Sequence, residues 1–294
     1  MTIQIKQIFD NKRPTFSFEF FPPKTAEGLV NLHAVAKTLA NNGADFFSVT
    51  YGAGGSTKEL TLDLVSSLQD QLNIPVLHHL TCVGYNRETL RTMIIEMKNR
   101  GVNNIMALRG DPPKGQSQWQ AATDGFQYCY ELIDLIKEFR EYFCIGVAGF
   151  PEGHIHVASL DLDIKYLKMK LEHGGQFIIT QFFFDNQQYY DFENRVRLAG
   201  ITAKIIPGIL PIVNYAKTLE MAFNNGTTLP ARLHEIFAPI ADDKEATIKA
   251  GYLYALEQSK DLLDYGVDGI HFYALNRLQP SLDLLQTLRA YISK

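Results

Sequence analysis

Cysteine is scarce in this chain: three residues in 294, at Cys82, Cys129 and Cys144, with no CxxC pair. An odd number at wide spacing argues against a disulfide framework and against a zinc site, so no metal is expected. Charge of one sign is equally lacking. The 28 Lys and Arg against 32 Asp and Glu leave −4 with no block of like charge, so nucleic acid is not an expected partner. No apolar run approaches the roughly 20 residues of a membrane span. The opening "MTIQIKQIFDNKRP" has no apolar core of a signal peptide. A cytoplasmic protein without a membrane partner is the expectation. Linkers rich in Pro, Gly or Ser and low-complexity segments are also missing, and one domain over 1–294 is expected.

What is present is ordinary globular composition, 46% hydrophobic and 20% charged, on a chain long enough for a large core. Apolar, β-rich runs recur: "TFSFEFF" at 15, "FFSVTYG" at 46, "PVLHHLTC" at 75, "NIMALRG" at 104, "CIGVAGF" at 144, "FIITQFFF" at 177, "KIIPGILPI" at 204 and "GIHFYAL" at 269. Amphipathic helical patterns such as "NRETLRTMIIEMKNRG" and "SLDLLQTLRAYISK" follow them. Several of these close on glycine, as at Gly43, Gly101, Gly174, Gly200 and Gly266. Eight alternating units predict an α/β fold, a (β/α)₈ TIM barrel, over an open doubly wound sheet. The long interval "PARLHEIFAPIADDKEATIKAGYLYALEQSKDLL" predicts an extra helix between strands seven and eight.

In such a barrel the chemistry sits at the C-terminal strand ends. Glu19, Thr50, His79, Thr81, Arg109, Asp111, His154, Gln181, Asn276 and Arg277 fall there and are expected at one mouth. Glu19 stands within "TFSFEFFPPK", where Pro22 and Pro23 end the ladder. Two readings compete for it: an ion pair with a lysine such as Lys24, or a carboxylic acid whose proton affinity burial raises, fit for general acid work. "YGAGGS" at 51 lacks the third glycine of a dinucleotide fingerprint and reads as a tight loop whose amides could still meet a phosphate. "LRGDPP" reads either as an Asp in a Pro-containing turn or as a carboxylate in the site, and the second is preferred. "HIH" at 154 has metal-ligand spacing, but no cluster completes a site. No lysine stands at the end of a strand, which counts against a Schiff-base aldolase. His78 and His79 alternate, so only one of them points inward.

The runs "SFEFFPPK", "SVTYGAGGS", "HHLTC", "ALRGDPP", "TQFFFD", "IIPGILPI" and "HFYALNR" stand in the order found in the bacterial-type methylenetetrahydrofolate reductase family, which the chain resembles over nearly its whole length. The resemblance implies the catalytic barrel alone, without the regulatory domain of the animal enzymes. It implies flavin adenine dinucleotide (FAD) at the barrel mouth, reduced by NADH or NADPH. Nicotinamide then leaves, 5,10-methylenetetrahydrofolate takes its place, and hydride passes to the methylene carbon in a ping-pong cycle that yields 5-methyltetrahydrofolate. By position, Glu19 resembles the family's general acid toward N10 of the folate, and Asp111 the aspartate between flavin and pterin. Thr50, Tyr51, Ala53, His79, Arg109, Gly110, Asp111, Ala122, Phe150, His154, Asp163 and Lys170 fall at flavin-binding positions. Asp111, Gln181, Lys217 and Arg277 fall at substrate positions. The pattern is not kept everywhere: Phe150 stands for a Tyr, Tyr166 and Met169 for an Asn and an Arg, and Lys217 for a Gln. A homo-oligomer is expected. Two other functions remain open, a flavin-free pterin-binding barrel that transfers or condenses, and a non-catalytic folate-binding protein.

Overall fold

The computed structural model describes residues 3–51, 58–111 and 120–293. Eight parallel strands close into one barrel in sequence order. They are β1 (Thr15–Phe20), β2 (Phe46–Val49), β3 (Val76–Thr81), β4 (Asn104–Leu108), β5 (Cys144–Gly149), β6 (Phe177–Phe182), β7 (Lys204–Ile209) and β8 (Gly269–Tyr273). All eight match the β-rich runs of the sequence. Helix α1 (Ile5–Asn11) precedes the barrel. Around it run α2 (Ala26–Asn41), α3 (Lys58–Leu72), α4 (Arg87–Asn99), α5 (Cys129–Lys137), α6 (Leu160–Glu172) and α7 (Asn186–Leu198). Three helices, α8 (Tyr215–Asn225), α9 (Ala231–Phe237) and α10 (Lys244–Tyr265), fill the interval between β7 and β8, and α11 (Ser281–Ile292) follows β8. The insertion is therefore larger than the one extra helix its sequence suggested.

The helices begin where polar caps allow. Asn86, Ser159, Asn214 and Asp243 accept hydrogen bonds from first-turn amides of α4, α6, α8 and α10. At the other end of α10, Gly266 takes φ +100° while its N–H reaches the Leu262 carbonyl, a left-handed cap that glycine adopts without a Cβ clash.

Side-chain alternation sorts the barrel into two apolar regions. Phe16, Phe18, Phe20, Phe47, Val49, Val76 and Leu80 face outward into the layer shared with the helices. Phe46, Leu77, Met106, Cys144, Phe177, Ile179 and Ile206 fill the interior together with Ile5 and Phe9 of α1. Helix α1 thus plugs the N-terminal end of the barrel. Phe9 packs edge-on against Phe46 at 5.8 Å and Phe177 at 5.2 Å, and the Ile5 amide donates to Asn104 Oδ1 at 2.8 Å. The polar interior side chains that gather around Glu19 lie above this plug.

Candidate active site

The parallel register sets Ser17 beside His271 and Glu19 beside Ser48 and Tyr273. These inward side chains sit directly above the apolar plug. Ser17 Oγ lies 2.7 Å from His271 Nδ1. Ser48 Oγ lies 3.2 Å from His271 Nε2 and donates to Glu19 Oε2 at 3.3 Å. The same carboxylate oxygen is 3.4 Å from His79 Nε2 and 3.6 Å from His271 Nε2. Tyr273 covers one flank, its hydroxyl donating to the Thr180 carbonyl at 2.9 Å. Among the described residues the ion-pair contacts of Glu19 are to imidazoles, not to Lys24. His79 is the inward member of the His78–His79 pair, and His78 points into the buried outer layer.

The electrostatics correct one expectation. Burial does push the Glu19 carboxyl up and is the largest single influence. The hydrogen bond from His271, the imidazoles of His79 and His271 and the Ser48 hydroxyl together outweigh it, holding the group below its ordinary 4.5. Burial was expected to raise this acid, with no polar partners to oppose it. The rings of Phe16, Phe18 and Phe20 lie on the other face of β1, and the face of Glu19 is polar. Near neutral pH Glu19 is therefore a carboxylate. Burial in turn lowers the His79 imidazole, with the Glu19 charge opposing it, and raises the Tyr273 phenol well above its usual value.

A second cluster gathers where β4, β5 and α6 meet. Lys170, pushed down by burial, donates to the Ala148 carbonyl at 2.6 Å and stands 5.8 Å over the Phe150 ring. Phe150 meets His154 edge-on at 4.7 Å. His154 is pushed down to about 4, chiefly by burial, with Arg109, His156 and Lys170 adding repulsion. Asp163 is raised by burial, while Lys170, Arg195 and the His154 amide temper that rise. Arg109 and Lys170 thus gather beside a low-lying imidazole and a buried carboxylate, and a pair of cations suits a diphosphate. Gly110 follows at φ +88°, where a Cβ would stand 2.5 Å from Val83 Cγ1 and 3.1 Å from Thr81 Cβ. Only glycine fits that turn.

The remaining predicted residues divide. The Thr50 amide bonds the Phe20 carbonyl, linking the ends of β1 and β2. Tyr51 shares a 2.7 Å hydroxyl contact with Tyr85, and the Ala122 carbonyl accepts from Gly125. Gln181 donates to Asn225 Oδ1 at 2.8 Å and accepts from the Phe182 amide. Asn276 clamps the end of β1 through both backbone groups of Phe21. Asp111, Lys217 and Arg277 are exposed, Lys217 in the first turn of α8. Ala53 lies outside the described residues. His154 and His156 rings are 5.6 Å apart, and no group of three or more His, Cys, Asp or Glu that could hold a metal occurs among the described residues.

The methylenetetrahydrofolate reductase family model matches residues 4–289. The chain belongs to that family. Among its relatives, 5,10-methylenetetrahydrofolate reductase of Escherichia coli is 36% identical over 92% of this chain and 90% of its own. Methylenetetrahydrofolate reductase (NADH) 1 of Arabidopsis thaliana is 37% identical over 97% of this chain. The chain spans about half the length of that plant relative, 50%. In fold it is similar to a protein of Clostridium thermocellum described as binding two copies of 5-methyl-5,6,7,8-tetrahydrofolic acid, with TM-score 0.65 and 15% identity over 98% of this chain and 99% of that one. Family membership agrees with the motif order of the sequence. Ser17, Ser48, His271 and Tyr273 were missed there. A signal for two of them was present: in "GIHFYAL", His271 and Tyr273 alternate with Ile270 and Phe272 and so share the inward face.

Proposed function

We propose that this chain reduces 5,10-methylenetetrahydrofolate to 5-methyltetrahydrofolate, with NADH or NADPH as electron source and FAD as the carrier. The observation that carries this reading is Glu19, a carboxylate held by hydrogen bonds near the C-terminal end of β1 in a family barrel. The name of the Escherichia coli relative, nearly the same length as this chain, supports the substrate. So does the folate bound by the Clostridium thermocellum neighbour. The cationic pair of Arg109 and Lys170 supports a diphosphate-bearing cofactor, with Thr50, Tyr51, His79, Gly110, Ala122, Phe150, His154 and Asp163 as its further holders. Bound flavin supplies the hydride that the methylene carbon receives.

The protein's part is placement and proton control. Arg277 and Lys217, exposed cations beyond the strand ends, suit the carboxylates of the folate tail. Gln181 reads the pterin once it exchanges its present partner Asn225, since an amide both donates and accepts. Asp111 meets the polar edge of the pterin. Glu19 delivers a proton to N10 as the bond from the methylene carbon breaks, its electron pair staying on nitrogen. Ligand binding over the mouth removes water from the carboxylate and favours its protonated form. Purified protein with FAD, NADH and methylenetetrahydrofolate should form 5-methyltetrahydrofolate, identified by mass. No product with either nicotinamide donor would refute the reading.

A further inference from the structure

An acid that starts as a carboxylate must draw its proton from somewhere, and the site offers a source beneath it. His271 is fully buried, too deep to touch a ligand at the mouth. Its ring stacks on Phe46 at 6.1 Å and 14°, and Phe46 is sealed from below by Phe9. Both nitrogens have hydroxyl partners, Ser17 at Nδ1 and Ser48 at Nε2. A hydroxyl both donates and accepts, so the ring is satisfied in two protonation states. When neutral and protonated at Nε2, Nδ1 accepts from the Ser17 hydroxyl; when neutral and protonated at Nδ1, it donates to Ser17 Oγ. When charged, Nδ1–H donates to Ser17 Oγ, whose proton turns toward the Ile270 carbonyl at 3.5 Å. In the charged ring and in the neutral tautomer protonated at Nε2, Nε2–H donates to Ser48 Oγ while Ser48 donates to Glu19; in the neutral tautomer protonated at Nδ1, Nε2 accepts from Ser48 Oγ instead.

We propose that Glu19 and His271 form one acid unit that holds a single proton between them, Ser48 relaying it, with His271 acting only through Glu19 as a positioning residue. The proposal rests on the folate reading above. The other titratable groups facing the pair are His79 of β3, 3.4 Å from the same carboxylate oxygen, and Tyr273 of β8, 5.7 Å ring to ring from His271. β2 contributes Ser48 and Phe46, neither of which titrates here. His271 differs from His79 in having a hydroxyl at each nitrogen, which gives both N–H groups of an imidazolium an acceptor.

The proton count balances without any added oxidant or reductant. In the resting unit His271 carries the proton and Glu19 is ionised. As folate covers the mouth, Nε2–H passes to Ser48 Oγ and the Ser48 proton passes to Glu19 Oε2. Glu19 then protonates N10 while the carbon–nitrogen pair stays on nitrogen, leaving a carboxylate above a neutral imidazole that keeps Nδ1–H. Water at the reopened mouth restores the proton through Glu19 after product leaves.

The test combines one measurement free of ligands with one kinetic profile. In ¹⁵N-histidine-labelled protein, the His271 signals, assigned by their loss in H271Q and their displacement in S17A, should be those of an imidazolium at pH 7. In E19Q they should become those of a neutral ring. A neutral ring at pH 7 in the wild type would overturn the proposal, whatever the enzyme reduces. In H271Q the amide preserves a donor toward Ser48 but stores no proton. Its folate step at pH 7, relative to flavin reduction in the same sample, should fall about 10²-fold, the lower edge of what a positioned acid contributes. It should then recover as pH is lowered, because solvent must now protonate Glu19. S17A should move the same way by less. A wild-type folate rate and pH profile in H271Q would also overturn it. Absence of any folate reduction in the wild type would defeat the functional reading, and the spectra would still decide the pair.

Discussion

Replacing Glu19 by Gln separates the two halves of the proposed reaction. The amide has nearly the volume of the carboxylic acid, so the packing above the plug is kept. Its carbonyl can still accept from Ser48, which now donates to Glu19 at 3.3 Å. What is lost is the transferable proton, together with the charge opposite His79 and His271 at 3.4 and 3.6 Å. A positioned general acid contributes about 10²–10⁴-fold, equivalent to roughly 2.7–5.5 kcal/mol of barrier at ~1.36 kcal/mol per decade. The folate half-reaction should fall by that factor. Reduction of flavin by NADH requires no proton from Glu19 and should stay within a few-fold of normal. Anaerobic stopped-flow absorbance follows each half-reaction separately. Near-normal reoxidation by methylenetetrahydrofolate in E19Q would refute the acid role, leaving Glu19 as a partner of the imidazoles.

Three further outcomes follow from the geometry. Phe9→Ala should empty the plug between Phe46 and Phe177 and cost about 3–5 kcal/mol, as buried aromatic truncations do, read as a lower urea midpoint with the fold retained. His78, buried on the outer face of β3, is pushed down to about 3 from 6.5. Between those values the unfolded chain binds a proton the native state refuses, so its contribution is complete above 6.5 and is lost as pH falls. The loss is ~1.4 kcal/mol per pH unit, about 2 kcal/mol by pH 5, and urea unfolding at pH 7 and 5 should show a smaller pH difference in His78→Leu. Asp111→Asn should leave flavin bound and slow the folate step more than NADH oxidation, by about ten- to a hundredfold if a charged hydrogen bond of ~1.5–3 kcal/mol is lost; equal rates would make Asp111 a turn residue only.

The barrel was legible because each strand carries its own signal: a short β-rich run with a helical pattern behind it, repeated eight times. The plug was not, since "IKQIFDN" is seven residues long and reveals its purpose only when Phe9 meets Phe46 and Phe177 across the barrel. The insertion after β7 was seen as helical, but α8, α9 and α10 could not be counted without knowing which faces they bury. The acid was found by its place at a strand end. Its ionisation was misjudged because burial was weighed without the polar partners that the fold brings to it. Alternation sends Phe18 and Phe20 away from Glu19, while the group that binds its network from below, His271, is 254 positions from Ser17 along the chain and beside it across the closing seam of the barrel.

The central claim is that this barrel passes electrons from a nicotinamide through flavin to a one-carbon folate. An anaerobic absorbance experiment tests it most directly. Purified protein supplied with FAD should be yellow, should bleach on addition of NADH or NADPH with no folate present, and should regain its colour when methylenetetrahydrofolate is added to the reduced enzyme. A protein that takes up no flavin, or a bleached flavin that methylenetetrahydrofolate fails to reoxidise, would contradict the account.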